Sequence, residues 1–329
     1  MNLPKFELVQ PQSLQEVCSL LQEGRGKTAL LAGGTALIIY LRYRLWKPTL
    51  VISLKALTGL KEITRDRDGG MLIGSMVTLE ELEKSPFIQQ EWPSLAKAAQ
   101  MVAVPPIRHE ATVGGNICLD TRCIFYNQSE TWRSGQKDCF KLGGEVCHAV
   151  ERGRRCQSVC QSDLAPLLIA MGAEVKIAST KGEKIIPLAD FFTGRGEKPN
   201  LLGPDEILVE VRIPPSRPDM AVAYEKLRIR QGMDFPLAGV AAMVKKGQGG
   251  RIEQVKLILG AVGSSPIEVS HSGKRSETQK PTDDLLQSLT EEAMERARPV
   301  ANLAVDPGYR RKMVGVLVKR AFQSAAAML

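Results

Sequence analysis

The stretch "KTALLAGGT", residues 27–35, decides the fold because an apolar strand ends there in a glycine turn. A helical stretch follows the turn, and the next apolar run, "TLVISL", predicts a second buried strand. Upstream, "FELV" predicts a strand, and Ser13 with Glu16 forms the capping pattern of a helix. The first 60 residues therefore alternate strands and helices, as a small α/β unit does.

Glycine turns occur twice at the end of an apolar strand. Gly33-Gly34-Thr35 opens a helix, so its backbone amides can form the anion nest that dinucleotide phosphates favour. Gly114-Gly115-Asn116 is a second turn of the same kind. A purely steric role for these glycines stays open, but two such turns favour a shared phosphate-bearing ligand.

The rest of the chain predicts two further blocks. Between Leu60 and Val113 short strands such as "GMLIGSMV" alternate with helices that begin near Thr78 and Pro93. A helix and a strand follow the cysteine-rich segment, and "EILVEVRIP" is a strong strand. After "SRPDM" the order is strands first and helices last, which indicates an α+β C-terminal domain: "AVAYEKLRI", "LAGVAAMVKK" and "QVKLILGAV", then helices at 285–296 and 309–328.

Composition limits the class of protein. The 43% hydrophobic and 24% charged residues are typical of a globular protein, and 329 residues suggest more than one core. We expect a cytoplasmic protein that does not bind membranes, because there is no apolar signal core, twin arginine or run of about 20 apolar residues. The net charge of +8 is scattered over the chain, so nucleic acid is not expected, although an acidic protein partner would be attracted.

Residues 118–160 hold six of the seven cysteines. A disulfide framework needs an oxidising compartment, and a zinc site usually has close cysteine pairs such as C-x2-C, a spacing that does not occur here. An iron–sulfur cluster tolerates wider spacing, and Cys123, Cys139, Cys147 and Cys156 stand 16, 8 and 9 positions apart in a segment without helical or strand periodicity. Incidental free cysteines in a surface loop are the remaining alternative.

The other cysteines have less distinctive surroundings. Cys118 and Cys160 flank the segment, where either can be a small buried apolar residue. Cys18 lies on the apolar face of the first helix and is expected in the core. His148 could replace a thiolate, yet a lone histidine in a basic loop is more often solvated.

The ordered motifs resemble a known family. They are "AGGT", "IGSMVTLEEL", "ATVGGN", "SDLAPLLIAMGAEV", "EILVEVRIP", "AYEKLRIRQGMDFPLAGVAA" and "YRRKMVGVLVKRA". This arrangement resembles the FAD-binding medium subunits of the xanthine dehydrogenase and carbon monoxide dehydrogenase family of molybdenum hydroxylases. The resemblance implies a two-subdomain FAD-binding domain of PCMH type at 1–216, divided near residue 56. An α+β domain like that of the CO dehydrogenase flavoproteins follows at 217–329.

The cysteine segment is an insertion relative to most of these subunits. At about 119–160, its "DTRCIFYNQSETWR" and its cysteine spacing are similar to the β subunits of 4-hydroxybenzoyl-CoA reductases, which carry a [4Fe–4S] cluster beside FAD. The resemblance implies that Cys123, Cys139, Cys147 and Cys156 are the cluster ligands.

The same resemblance implies a set of FAD-binding residues. Ala36 departs from the family pattern, which often has a polar residue at this position. A side-chain hydrogen bond to FAD is therefore not expected there. The full set is Ala32, Gly33, Gly34, Thr35, Ala36, Thr112, Gly114, Gly115, Asn116, Asp163, Leu208 and Lys226.

The function implied is electron transfer inside a larger enzyme. The whole enzyme would remove the phenolic hydroxyl of 4-hydroxybenzoyl-CoA with electrons from ferredoxin, during anaerobic aromatic degradation. A molybdenum-cofactor large subunit would bind the substrate, and a small subunit would hold two [2Fe–2S] clusters, in a dimer of heterotrimers. No side chain of this chain would be catalytic. The alternative is the flavin and iron–sulfur subunit of an aldehyde or heteroaromatic hydroxylase.

Overall fold

A computed structural model describes residues 3–24, 26–272 and 283–329 of the chain. Within these residues no helix is both long and apolar enough to cross a membrane. The architecture is mixed α/β, with a two-part N-terminal domain, an inserted loop region and an α+β C-terminal domain, as the sequence predicts.

The N-terminal subdomain is a three-stranded parallel sheet with two helices. Its strand order is β1-β3-β2, and Leu30 of β2 lies opposite Ile52 of β3. Ser13 accepts a hydrogen bond from the Glu16 backbone N–H and so caps α1. The elements are β1 (Glu7–Val9), α1 (Leu14–Glu23), β2 (Thr28–Leu31), α2 (Leu37–Arg42) and β3 (Leu50–Ser53).

The second subdomain is a five-stranded antiparallel sheet covered by short helices. Its order is β4-β5-β10-β6-β7, so a late strand pairs between two earlier ones. The elements are β4 (Ile63–Arg65), β5 (Met71–Gly74), α3 (Leu79–Lys84), α4 (Pro86–Glu91), α5 (Pro93–Gln100), α6 (Pro105–Glu110), α7 (Val113–Ile117), α8 (Glu130–Arg133), α9 (Leu164–Ala170), β6 (Glu174–Ser179), β7 (Gly182–Pro187), β8 (Phe192–Arg195), β9 (Lys198–Asn200) and β10 (Ile207–Ile213).

The C-terminal domain is a four-stranded antiparallel meander with two helices. The three predicted strands and both predicted helices form, and a fourth strand at the sheet edge was not predicted. The elements are β11 (Met220–Leu227), β12 (Ala238–Lys246), β13 (Ile252–Gly260), β14 (Ile267–Ser272), α10 (Asp283–Arg296) and α11 (Pro307–Ala327).

Helix α9 joins the two domains. All seven of its residues are buried, and it packs against helices α5 and α7 of the second subdomain and against strands β12 and β13. The largest core cluster accordingly includes Val222, Ala241 and Ile258 of the C-terminal sheet. A helix that is apolar on all sides is expected between two layers, and here it fixes the position of the segment just before it.

The cysteine insertion, residues 119–160, has little regular structure but is tied down at several points. Its neck is closed by two backbone hydrogen bonds between Arg122 and Val159, of 2.9 and 2.8 Å. Arg133 donates to the carbonyls of Tyr43 and Arg44, just after α2. Ile124 donates to the Asn302 carbonyl of the C-terminal domain at 2.9 Å. The insertion therefore bridges the N-terminal subdomain and the C-terminal domain.

Candidate functional site

The first glycine turn connects β2 to α2. Gly34 has φ +73°, a left-handed conformation that favours glycine. A Cβ on Gly33 would overlap the Glu110 carbonyl oxygen, so this position requires glycine for packing as well. In the described residues, the backbone N–H groups of Gly33, Gly34 and Thr35 donate to no protein acceptor. This pattern fits an anion nest.

The second glycine turn opens α7 and follows helix α6, so the prediction that an apolar strand precedes this turn was wrong. Thr112 accepts a hydrogen bond from the Gly115 N–H at 3.1 Å and caps the helix. Gly114 donates to the Ser75 carbonyl at 2.8 Å, and a Cβ on Gly114 would lie 2.7 Å from the Ser75 Cβ. The buried Ser75 hydroxyl has no hydrogen-bond partner among the described residues. An orphaned hydroxyl beside this turn fits a polar ligand that supplies the missing bond.

The two turns lie side by side. Gly33 packs on the backbone of Glu110 and Ala111, which directly precede Thr112. The sequence suggested a shared ligand from two similar turns, and the structure brings both to one edge of the N-terminal domain. Ser75 lies beside the second glycine turn and was not predicted as a site residue. A polar residue directly after the buried strand "MLIG" could have indicated it.

Asn116 links the second turn to α9. Its Oδ1 accepts hydrogen bonds from the Ser162 hydroxyl at 2.7 Å and from the Leu164 N–H at 3.2 Å. The side-chain oxygen is therefore used within the protein. What Asn116 can offer a ligand is its amide NH₂.

Asp163 and Lys226, 63 residues apart, form a buried ion pair with Nζ to Oδ2 at 2.9 Å. Tyr224 donates its hydroxyl to the other carboxylate oxygen at 3.0 Å. Burial raises the pKa of Asp163, and the neighbouring Lys226 and Tyr224 offset part of that rise. Lys226 also donates to the Met101 carbonyl at 3.0 Å and the Asp234 carbonyl at 3.2 Å. All three ammonium donors of Lys226 are thus engaged, so any contact with FAD is left to its methylene stem.

The remaining predicted FAD residues are mostly apolar. Leu208 is buried in β10, and Ala32 packs on the core of the N-terminal subdomain. Ala36 is the N-cap residue of α2 and makes no side-chain capping bond. These residues can contribute shape and backbone groups to a ligand site, and their contacts with FAD stay predictions.

The four predicted ligand cysteines line one small cavity in the insertion. Cys123, Cys139, Cys147 and Cys156 face it, together with His148 and Lys141. Cys118, Cys160 and Cys18 do not line it. Burial raises the pKa of Cys123 to about 11 and raises that of Cys156 as well. Thiolate ligation there would release protons.

The geometry does not match a single metal ion. Among the described residues, no group of three or more His, Cys, Asp or Glu side chains is placed to hold one ion. A tetrahedral ion draws each sulfur to about 2.3 Å from one centre, whereas each thiolate of a four-iron cluster binds a different iron. The four thiols therefore line one cavity without forming a metal-binding group among the described residues, and a cluster at this site stays a prediction.

A buried polar network supports this cavity. Lys141, 4% exposed, donates from Nζ to Asp120 Oδ1 at 2.7 Å and to the Thr121 hydroxyl and the Gly196 carbonyl, each at 2.6 Å. Ser158 also donates to the Gly196 carbonyl, at 3.1 Å, and its hydroxyl lies 3.1 Å from the Cys156 sulfur. The network places a fixed positive charge at the cavity wall.

Replacing Gly33 with alanine is expected to remove most of the bound FAD. The new methyl group would force apart the two glycine turns, and a strain of about 1–3 kcal/mol corresponds to a loss of affinity of roughly five- to 150-fold. Flavin fluorescence released from the purified protein measures the effect. Gly59→Ala is the matched control, because nothing lies within 4 Å of the added Cβ. Equal FAD content in the two variants would contradict a flavin role for this turn.

Comparison with known proteins agrees with the geometry. Residues 4–216 match the family described as the FAD binding domain in molybdopterin dehydrogenase, and residues 222–325 match the CO dehydrogenase flavoprotein C-terminal domain. The chain is 28% identical to the carbon monoxide dehydrogenase medium chain of Hydrogenophaga pseudoflava, over 98% of each chain. It is 29% identical to the nicotinate dehydrogenase FAD-subunit of Eubacterium barkeri, over 90% of this chain and 84% of that one.

A solved structure is similar over the whole length. A chain of the carbon monoxide dehydrogenase from Hydrogenophaga pseudoflava, in a form that lacks the Mo-pyranopterin moiety, superposes with a TM-score of 0.80 at 26% identity. The match covers 100% of this chain and 99% of that one. The chain therefore belongs to the family of FAD-binding subunits of molybdopterin dehydrogenases, the molybdenum hydroxylase family that includes the carbon monoxide and xanthine dehydrogenases.

Proposed function

We propose that this chain is the electron-transfer subunit, carrying FAD and a [4Fe–4S] cluster, of a molybdenum enzyme that reduces 4-hydroxybenzoyl-CoA to benzoyl-CoA. The observation that carries the proposal is the convergence of Cys123, Cys139, Cys147 and Cys156 on one cavity. The reaction consumes two electrons and two protons and releases the phenolic oxygen as water. Ferredoxin is the proposed donor.

The cavity supplies the right donors but little space. Its open volume is about 20 Å³, so a cluster requires the thiols to turn outward about their χ1 bonds. Cys139, Cys147 and His148 lie in loops that are only half-buried, and such loops permit this movement. The donor set and the buried Lys141 favour a four-iron cluster over zinc.

The insertion is anchored on the subdomain that carries the first glycine turn, which supports an electron path between a cluster and the flavin. Arg133 binds the carbonyls that end α2, the helix that begins at the first glycine turn, and Lys47 pairs with Glu130 at 2.5 Å. When bound, the cluster supplies one-electron transfer, and FAD can exchange one or two electrons. The protein fixes the distances and tunes the potentials, and none of its side chains needs to act as acid, base or nucleophile.

The proposed partners are a large subunit with the molybdenum cofactor and a small subunit with two [2Fe–2S] clusters. The names of the relatives, a medium chain and an FAD-subunit, describe parts of such assemblies. Substrate would bind the large subunit, and two heterotrimers would pair. Size-exclusion chromatography of the co-expressed subunits tests this arrangement.

Cofactor analysis tests the proposal directly. Protein purified without oxygen is expected to contain about four iron, four sulfide and one FAD per chain and to give an EPR signal after reduction. The complex should convert 4-hydroxybenzoyl-CoA to benzoyl-CoA with reduced ferredoxin. About one zinc per chain without iron or flavin would instead indicate a zinc-binding assembly module.

A second candidate is the flavin and iron–sulfur subunit of an aldehyde or heteroaromatic hydroxylase. Its support is that relatives include a nicotinate dehydrogenase FAD-subunit and an aldehyde oxidoreductase FAD-binding subunit from Escherichia coli. Electrons would then leave through this chain. Oxidation of an aldehyde or of nicotinate by the purified complex, without turnover of 4-hydroxybenzoyl-CoA, would favour this candidate.

Reduction by ferredoxin is expected to slow as salt rises. The chain carries a net charge of +8, which attracts an acidic partner over distances that salt screens. Between about 30 and 300 mM ionic strength, the second-order rate constant should fall roughly tenfold or more. Stopped-flow absorbance measures this constant. A constant rate over the whole range would argue against electrostatic docking.

Replacing Lys141 with methionine is expected to loosen the insertion. The change leaves the Asp120 carboxylate buried without its counter-ion, and breaking a buried pair in this way costs about 3–5 kcal/mol. Limited proteolysis should cut within the insertion faster. Lys137→Met is the control, because Lys137 is exposed in the same loop and its side chain has no polar contact among the described residues. Equal cleavage rates would show that the network does not hold the loop.

A further inference from the structure

A second cavity, of about 240 Å³, lies between the insertion and the C-terminal domain. Its walls come from the end of the insertion at Arg155 and Gln157, the turn Gly263–Ser265 between β13 and β14, and Arg298 after α10. None of the predicted FAD residues lines it. It shares only Gln157 with the lining of the cysteine cavity.

The lining of this cavity is positively charged. Arg155, Arg298 and Arg310 line it, and no aspartate or glutamate is among its described lining residues. A space with three guanidinium groups and no carboxylate has a positive potential, which a bound anion would neutralise.

Arg310 forms a fixed cationic floor. It is fully buried, and it donates to the carbonyls of Leu237, Ala261 and Val300 and to Asn302 Oδ1, at 2.6–3.2 Å. All of these acceptors are neutral. Burial lowers the pKa of Arg310 to about 10, so the group stays charged at neutral pH. A buried cation held only by neutral acceptors is costly, and an anion in the adjoining cavity would reduce that cost.

Several other hydrogen-bond donors around the cavity are available to a bound anion. Arg155 has no hydrogen bond or ion pair within the described ranges, and Arg298 uses its guanidinium only for the Glu295 and Ala297 carbonyls at the end of α10. The hydroxyls and backbone N–H groups of Ser264 and Ser265 also lack protein acceptors in that part of the chain. Successive free N–H groups in a turn are a recurrent element of phosphate sites.

We propose that this cavity binds the phosphoryl group of a small molecule. A dianionic tetrahedral group can accept from the two exposed guanidinium forks, the serine hydroxyls and the turn amides at the same time, whereas a planar carboxylate satisfies fewer of them. The volume far exceeds the roughly 10–15 Å³ that one water needs, so there is room for part of an attached organic group. The inference does not depend on whether the insertion holds a cluster.

A ligand here would also join two parts of the chain. Arg155 precedes Cys156 in the insertion, while Ser264, Ser265 and Arg298 belong to the C-terminal domain. Bridging by one phosphoryl group would therefore hold the insertion against that domain. Slower hydrogen exchange around Cys156 in the presence of ligand is the expected signature.

Calorimetric titration of the FAD-loaded full chain with inorganic phosphate, at fixed ionic strength, tests the site. FAD loading occupies the glycine turns, so they cannot account for phosphate binding. The double variant Arg155→Gln with Arg298→Gln should weaken binding about tenfold or more. The matched control, Arg154→Gln with Arg296→Gln, removes the same charge from neighbouring exposed positions outside the cavity and should change the affinity less than about twofold.

The source of the phosphoryl group is resolved by a second titration. Tighter binding of adenosine 5′-monophosphate than of inorganic phosphate would indicate a phosphate ester as the ligand, and the reverse order would indicate free phosphate. Acetate at the same ionic strength should not bind measurably to the unmodified chain or to either double variant. Equal phosphate affinity in the two double variants, or no phosphate binding by the unmodified chain, would overturn the proposal.

Discussion

Replacing Cys139 with serine is expected to abolish the four-iron EPR signal of the reduced protein while its FAD content stays at the unmodified level. A serine hydroxyl ionises far less readily than a thiol and is a poor ligand for iron, so the cluster would lose one of four attachment points. Iron and sulfide analysis of anoxically purified protein, with flavin measured on the same sample, gives both quantities.

The cluster is expected to be lost while FAD stays bound, because different residues hold the cysteine cavity and the glycine turns in place. The Cys139 backbone carbonyl accepts from Leu142 at 2.8 Å and from Gly144 at 3.0 Å, and serine leaves both bonds in place. The glycine turns at Gly33 and Gly114 lie outside the insertion and pack on Glu110 and Ser75 instead. A lost cluster therefore need not disturb the flavin site.

Cys118→Ser is the matched control for this experiment. Cys118 is also a free cysteine beside the insertion, but it does not line the cysteine cavity. The control should keep its iron and its EPR signal. If Cys139→Ser retained four iron atoms, or if both variants lost them equally, the assignment of the four ligands would be wrong.

Periodicity and turn signals predicted the long elements of the fold, whereas the short strands β7, β8 and β9 were not predicted. Strands β11, β12 and β13 are long apolar runs between clear turn signals, and α11 begins at a proline, as helices often do. Strand β14 was missed because only "IEVS" alternates apolar and polar residues, as a half-buried strand does, and the polar "HS" that follows cuts the pattern short. Local patterns thus predict elements well when both faces of a strand are buried.

Contacts between distant segments are what the sequence could not predict. The residues that hold the insertion in place, such as Arg133 with Tyr43 and Lys141 with Gly196, look like ordinary basic residues of a polar loop. Asp163 and Lys226 were each predicted as flavin residues, but the direct pairing of their charges depends on how α9 packs on the C-terminal sheet. Such pairs form through tertiary packing, which the periodicity of the local sequence does not reveal.

Replacing Asp163 with asparagine is expected to destabilise the flavin-free protein by about 3–5 kcal/mol, because it leaves the buried Lys226 ammonium without a counter-ion. Tyr224 keeps a hydrogen-bond acceptor at this position, so the loss would come from the missing charge. Urea unfolding of the apoprotein measures the effect, since bound FAD would add its own stabilisation.

A second substitution separates charge from packing at this site. Adding Lys226→Met to Asp163→Asn removes the unpaired ammonium and should restore a large part of the lost free energy of unfolding, which a purely steric defect would not allow. Asp219→Asn breaks an exposed pair with Arg217 and should cost at most about 1 kcal/mol. If Asp163→Asn cost no more than Asp219→Asn, the buried pair would not be what stabilises the junction between α9 and the C-terminal sheet. A large cost that the double variant relieves would show that this junction depends on one compensated charge.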